Sequence, residues 1–117
     1  MDSSKPLVSI LMSVRNGEQT VEKSIKSILN QSYDYFEFLI VDDCSTDSTL
    51  GKLKILEKQD SRINIFTNSE NIGLTKSLNK LIKNVKGELI ARQDADDYSN
   101  PDRIYTQVQY LLKNNLD

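Results

Sequence analysis

The sequence contains no histidine. This excludes a Ser-His-Asp triad, an imidazole acid or base and a His-ligated zinc site within these residues. Any chemistry must rest on carboxylates, Lys, Arg, Tyr or hydroxyls. A single cysteine, Cys44, rules out an intrachain disulfide and leads to the expectation of a cytoplasmic setting. Positive charge is not in excess: 15 Lys and Arg against 17 Asp and Glu give a net charge of −2. That balance argues against nucleic acid as a main partner. No apolar run is long enough to span a bilayer; the run from Leu7 to Val14 is short and carries Ser9 and Ser13. It also lacks the cleavage pattern of a secretory leader. Internal repeats, low-complexity segments and interdomain linkers are absent as well.

What is present fits one domain with a modest core: 117 residues, 38% apolar and 27% charged. Four strand-like runs stand out, from Leu7 to Val14, Phe36 to Val41, Ile63 to Thr67 and, more weakly, Glu88 to Ala91. Their lengths and polar flanks predict strands buried on both faces. Between them, Val21, Ile25, Ile28 and Leu29 recur at helical spacing. Leu74, Leu78, Leu81 and Ile82 repeat that spacing, as do Ile104, Val108, Leu111 and Leu112, with a looser set at Leu50, Leu53 and Leu56. Asp47 is expected to cap the second helix, and Asn100 to cap a fourth that opens with Pro101. Gly87 is expected to end the third in a left-handed conformation. Four strand–helix alternations predict an α/β fold: a mainly parallel four-stranded sheet with helices on both faces, joined by right-handed crossovers.

Ligands in such sheets bind beyond the carboxyl ends of the strands. Those positions hold Ser13-Val14-Arg15-Asn16-Gly17, Asp42-Asp43-Cys44-Ser45-Thr46-Asp47, the stretch from Asn68 to Gly73, and Gln93-Asp94-Ala95-Asp96-Asp97. Each acidic cluster alone is compatible with a capped or solvated turn. Their joint placement predicts that Asp42, Asp43, Asp94, Asp96 and Asp97 converge. Two carboxylates ~5 Å apart repel by roughly 3 kcal/mol at an effective dielectric near 20. A hard divalent cation, Mg²⁺ or Mn²⁺, held by Asp96 with Asp94 would relieve that strain and neutralise a leaving diphosphate.

Several stretches resemble family 2 glycosyltransferases of the GT-A fold. Residues 6–17 (PLVSILMSVRNG) look like that family's opening strand, and Asn30-Gln31-Ser32-Tyr33 like the end of its first helix. IVDDCSTD from Ile40 to Asp47 is similar to its VDDxSTD stretch, and Asn71-Ile72-Gly73-Leu74 to its NxG segment. RQDADD from Arg92 to Asp97, followed by Pro101-Asp102-Arg103, is similar to its DXD motif and the helix start beyond. The resemblance covers about residues 6 to 112, and its specificity lies in all five segments occurring in order.

The resemblance implies a Rossmann-like nucleotide-sugar-binding half. The activity it implies is inverting transfer from a nucleoside-diphosphate sugar, a UDP-sugar first, to a saccharide or lipid-linked acceptor. Ser13 and Arg15 would flank the nucleoside, and Asp43 would accept from the uracil imide. Asp94 would contact ribose or a metal-bound water, Asp96 would ligate the metal, and Lys76 would reach the diphosphate. Arg103 would be structural, pairing with an acid near the site. Arg15 departs from the aromatic residue often found at its position, which leaves the base open. The general base is expected on an acceptor half beyond Asp117, so the isolated chain is expected to bind donor without transferring it. The parent protein would act at the cytoplasmic membrane face as a peripheral protein. A non-catalytic nucleotide- or partner-binding module of the same fold stays open as an alternative. A nucleotidyltransferase would need a glycine-rich basic loop after the first strand. A phosphoacceptor receiver would need its acid pair there and a fifth strand.

Overall fold

The computed structural model describes residues 5–114. Eight elements alternate along the chain: β1 (Val8–Val14), α1 (Val21–Leu29), β2 (Phe36–Asp42), α2 (Thr49–Gln59), β3 (Ile63–Thr67), α3 (Leu74–Ile82), β4 (Leu89–Arg92) and α4 (Arg103–Lys113). The four strands form one sheet in the order β3-β2-β1-β4, and every pairing is parallel. The α/β expectation holds.

Strand periodicity sorts the core into two layers. Val8, Ile10, Met12 and Val14 of β1 and Phe36, Phe38 and Ile40 of β2 meet Val21, Ile25 and Ile28 of α1, Leu53 and Leu56 of α2, and Ile104 and Val108 of α4. Leu11, Leu39 and Val41 point the other way and meet Leu81 of α3. Three helices therefore cover one face and one covers the other. Burying a side chain of this size contributes about 1.5–3 kcal/mol, so the thicker layer carries most of the stability.

That asymmetry follows from the path of the chain. From β1 it steps outward to β2 and β3, then returns across the sheet to place β4 beside β1. Right-handed crossovers demand that a return in the opposite direction use the opposite face, which is where α3 lies. The reversal leaves a switch point between β1 and β4, and ligands of open parallel sheets bind beyond the carboxyl ends at such points.

Four local expectations need correction. Strands β3 and β4 are not buried on both faces: both are edges, and Ile90 is 52% exposed. The stripes of α3 and α4 are only half used, with Leu74, Ile82 and Leu112 left exposed, because α3 rests on the two central strands alone. Gly87 does not end α3, whose C-cap is Lys83 in right-handed conformation. It lies against β1 instead, where a Cβ would come within 2.5 Å of Ser9 Oγ and 2.8 Å of the Leu7 carbonyl oxygen. Finally, α4 opens at Arg103 behind an Asp102 N-cap. Asn100 Oδ1 accepts from the Asp102 N–H at 3.0 Å, so residues 100–102 form a turn and Pro101 precedes the helix. Among the described residues, no helix is long and apolar enough to cross a membrane.

Candidate functional site

The loops after β1 and β2 are fastened to each other. Asn16 (φ 53°) and Cys44 (φ 61°) both hold left-handed backbone, which costs a non-glycine residue about 1–3 kcal/mol unless its surroundings fix it. The surroundings do so. Asn16 Oδ1 accepts from the Thr46 N–H at 2.8 Å, and the Asn16 N–H donates to Ser45 Oγ at 2.8 Å. The Gly17 N–H donates to Thr49 Oγ1 at 2.9 Å. Asp47 is not the N-cap of α2 as expected: the N-cap is Ser48, without a side-chain cap bond, and Asp47, one residue earlier, accepts from the Thr49 N–H at 2.9 Å. This rigid rim carries Ser13, half-buried in β1, and Arg15, exposed just past it.

Asp43 is turned inward. Its Oδ1 accepts from Asn68 Nδ2 at 3.0 Å and the Ile72 N–H at 2.8 Å, and its Oδ2 accepts from the Gly73 N–H at 2.9 Å. These bonds draw the 68–73 loop onto the end of β2 and place Gly73 (φ 90°) as the N-cap of α3. Asn68 is itself held: its Nδ2 donates to Ser77 Oγ at 3.0 Å, and its Oδ1 accepts from Lys80 Nζ at 2.8 Å. Burial alone would raise the Asp43 pKa. The hydrogen bonds from Ile72, Asn68 and Gly73, with the charge of Arg15, outweigh it and hold the carboxyl below its ordinary value. The group stays ionised with three of its roughly four acceptor positions engaged. Asp42, one residue earlier, follows the strand pleat toward the other layer. It is 2% exposed, its Oδ2 accepts from the Ser45 N–H at 3.2 Å, and its Oδ1 has no partner among the described residues.

The loop after β4 is wired in the opposite sense. Asp94, Asp96 and Asp97 are exposed, and Asp96 and Asp97 have no side-chain partner among the described residues. Asp94 meets only Arg92, at 3.5 Å, with both groups more than half exposed; such a pair contributes little. The backbone of the loop is held from behind by neutral side chains. Ser24 Oγ of α1 donates to the Asp94 carbonyl at 2.8 Å, and Gln93 Nε2 donates to the Asp97 carbonyl at 3.0 Å.

The acids therefore do not converge as expected. Among the described residues, no three His, Cys, Asp or Glu side chains are grouped to hold a metal. The pleat sends Asp42 into the core, and the 68–73 loop claims Asp43. Asp94, Asp96 and Asp97 remain together on one short loop. Asp94 and Asp96 are carboxylate oxygen donors of the kind that Mg²⁺ or Mn²⁺ takes, since these cations keep several waters and draw the rest of their ligands from phosphates. Lys76 is exposed on α3 without a partner among the described residues; the lysine that turns to the site is Lys80, one turn on. Arg103 is structural but pairs with no acid: it donates to Gln93 Oε1 at 2.8 Å, Ser99 Oγ at 3.0 Å and the Arg92 carbonyl at 2.6 Å. Tyr33 is buried, whereas Tyr98 is 65% exposed, with Lys23 Nζ 5.5 Å from its ring centre. A cleft of about 570 Å³ runs between β4 and α4, lined by Ile90, Arg92, Arg103 and Tyr110. It lies beside the carboxylate loop, and Asp94, Asp96 and Asp97 are not among its lining residues.

Sequence reasoning missed Asn68, Lys80, Gln93, Ser24, Ser27 and Ser99. One signal was present: Ser24, Ser27 and Gln31 fall at i, i+3 and i+7, a polar stripe beside the apolar stripe of α1.

Residues 9–117 match the family model described as glycosyl transferase family 2. The chain belongs to glycosyl transferase family 2. Among family relatives, the Escherichia coli UDP-Glc:alpha-D-GlcNAc-diphosphoundecaprenol beta-1,3-glucosyltransferase WfgD is 40% identical over 110 residues, which are 94% of this chain and 43% of that protein. The structure of S. aureus TarS 1-349 in complex with UDP-GlcNAc superposes with a TM-score of 0.82 at 27% identity, over 92% of this chain and 32% of that one. The mannosyltransferase PcManGT from Pyrobaculum calidifontis, solved in complex with GDP-Man and Mn²⁺, shares the fold with a TM-score of 0.85 at 24% identity, over 92% of this chain and 32% of that one. The chain spans less than half the length of curated relatives it matches. The family assignment and the GT-A fold thus stand on the chain's own length.

Proposed function

We propose that this part of the protein binds the nucleoside-diphosphate sugar, a UDP-sugar, for transfer to a saccharide or lipid-linked acceptor. The observation that carries the reading is the presence of two differently wired carboxylate sites at the ends of β2 and β4, the strands that flank β1. One is inward and ionised (Asp43), and the other is outward and without side-chain partners beyond Arg92 (Asp94, Asp96, Asp97). The base lies against the rim formed by Ser13 and Arg15, with the one free acceptor position of Asp43 taking the uracil imide proton. A carboxylate accepts only, so it favours a base that presents an N–H there. The guanidinium of Arg15 stacks on the base through its planar face.

Asp96 and Asp94 hold Mg²⁺ or Mn²⁺ beside the diphosphate, and Lys76, free on its helix face, swings toward the same phosphates. The metal, when bound, supplies charge neutralisation for the leaving diphosphate. The chain's own residues bind and orient the donor, and the acceptor hydroxyl attacks the anomeric carbon with inversion. The base for that proton is supplied by residues outside this chain, which therefore binds donor without turning it over. WfgD, a UDP-glucose enzyme acting on a diphosphoundecaprenol-linked sugar by its name, supports a lipid-linked acceptor. The parent would act as a peripheral protein at the cytoplasmic face of the membrane.

Calorimetric titration of UDP into the protein, with and without Mn²⁺, tests the reading. Binding that tightens with the metal is expected. Absence of binding by folded protein under both conditions would contradict it and favour a non-catalytic module of the same fold.

A further inference from the structure

Behind the carboxylate loop lies a buried network of uncharged side chains around Gln93, which is 2% exposed. Its backbone N–H continues the sheet, donating to the Leu11 carbonyl at 3.0 Å. The orientation of its amide is fixed by chemistry. Arg103 can only donate, so Oε1 must face it; the Asp97 carbonyl can only accept, so Nε2 must face that. Oε1 accepts from Arg103 Nη1 at 2.8 Å and from Ser99 Oγ at 2.6 Å. Nε2 donates to the Asp97 carbonyl at 3.0 Å and to Ser24 Oγ at 2.9 Å. With its oxygen thus accepting, Ser24 directs its own proton to the Asp94 carbonyl, at 2.8 Å. Ser27 Oγ completes the ring by accepting from the Ser99 N–H at 3.0 Å. One amide therefore sets both ends of the turn closed by the Asp97 N–H to Asp94 carbonyl bond, at 3.1 Å.

We propose that Gln93 is the positioning residue of the metal–diphosphate site. Working with Ser24 and Arg103, it fixes the backbone of the loop from which Asp94 and Asp96 would hold the cation. The inference rests on the donor-binding reading above. It assigns the tuning of cation affinity to residues that never touch the cation. Partners one layer behind a ligand typically change metal affinity about 10–100-fold when removed. The groups that hold the Asp94 and Asp97 carbonyls, the Ser24 hydroxyl and the Gln93 amide, are uncharged and so leave the carboxylates open, while the charge of Arg103 is turned to Gln93, Ser99 and the Arg92 carbonyl.

The test compares Gln93→Glu and Ser24→Ala with the unaltered protein. Gln93→Glu keeps the acceptor for Arg103 and Ser99 but loses the donor for the Asp97 carbonyl, and it draws the Ser24 proton away from the Asp94 carbonyl. Ser24→Ala removes that second bond and the acceptor for one Gln93 Nε2 hydrogen, and keeps the Gln93 bond to the Asp97 carbonyl. A cooperative thermal transition confirms folding of each variant. Calorimetry with UDP is run with and without Mn²⁺, and amide hydrogen exchange is read at Asp97. In Gln93→Glu the metal-dependent gain in UDP affinity is expected to fall about tenfold or more, with metal-free UDP affinity nearly unchanged. Asp97 exchange should accelerate while the β1 and β2 amides stay protected. Ser24→Ala should show the same pattern, more weakly. If both variants retain the metal-dependent gain and Asp97 protection, Gln93 is not a positioning residue. If the unaltered protein shows no metal-dependent gain, the donor-binding reading fails instead. The Asp97 exchange then still decides whether Gln93 orders the loop: unchanged exchange overturns that half of the proposal, and faster exchange upholds it.

Discussion

The two acidic strand ends, after β2 and after β4, use the same residue type in opposite ways. At Asp43 the carboxylate is the fastener: it gathers the Ile72 and Gly73 N–H groups and Asn68, and so builds the loop that opens α3. At Asp94–Asp97 the fasteners are Gln93 and Ser24, and the carboxylates are left over. An acid at a strand end is therefore either structural or available. What decides is whether backbone donors from another segment reach it first.

Breaking the inward site should have the largest effect. Asp43→Ala takes the acceptor from the Ile72 and Gly73 N–H groups and from one of the two Asn68 amide hydrogens, the other staying on Ser77, and an unpaired donor costs about 1–3 kcal/mol, less where water reaches it. A loss of about 2–3 kcal/mol is expected by urea denaturation. Asp43→Asn sharpens the same point through pH. The folded pKa of Asp43 lies below its unfolded value, so its contribution is complete above the unfolded pKa of about 4 and is lost as pH falls through the folded one. The substituted protein should be less stable at neutral pH by about 1–2 kcal/mol and lose less on acidification. A residual slope should remain from Asp34, Asp47 and Asp60, whose pKa values are also lowered, chiefly by hydrogen bonds from Lys5, Thr49 and Arg62 respectively. Urea midpoints between neutral and acid pH would measure both. Asp47→Ala, which removes the acceptor for the Thr49 N–H and hydroxyl at the start of α2, should lower the midpoint of thermal unfolding by less than either Asp43 substitution. Asp96→Ala should change stability least, within about 0.5 kcal/mol in the same assay, because no described residue leans on that carboxylate.

The same comparison shows how much could be read in advance. β1 and β2 were legible because runs such as SILM and FLIV, buried on both faces, leave no competing pattern. The exposure of β4 and of Leu74, Ile82 and Leu112 was not, because periodicity marks an apolar stripe without saying whether another layer covers it. The start of α4 was misplaced by two residues because Asn100 closes a turn with the same side-chain chemistry that caps a helix. At the site, sequence placed every acid at its strand end but could not orient any of them. Two of the three partners of Asp43 are backbone groups about thirty positions away, and backbone N–H groups carry no residue signature. Gln93 sits inside the stretch that carries the acids, yet its role emerges only when Ser24, Ser99 and Arg103 are folded around it. The stripe of Ser24, Ser27 and Gln31 on α1 was its one visible trace.

The most direct test of this division of labour is UDP titration of Asp43→Ala and Asp96→Ala side by side, each with and without Mn²⁺. The account predicts that Asp96→Ala keeps metal-free UDP binding and loses the gain from Mn²⁺, while Asp43→Ala loses binding under both conditions. Equal losses in the two variants, or a Mn²⁺ gain that survives Asp96→Ala, would contradict it.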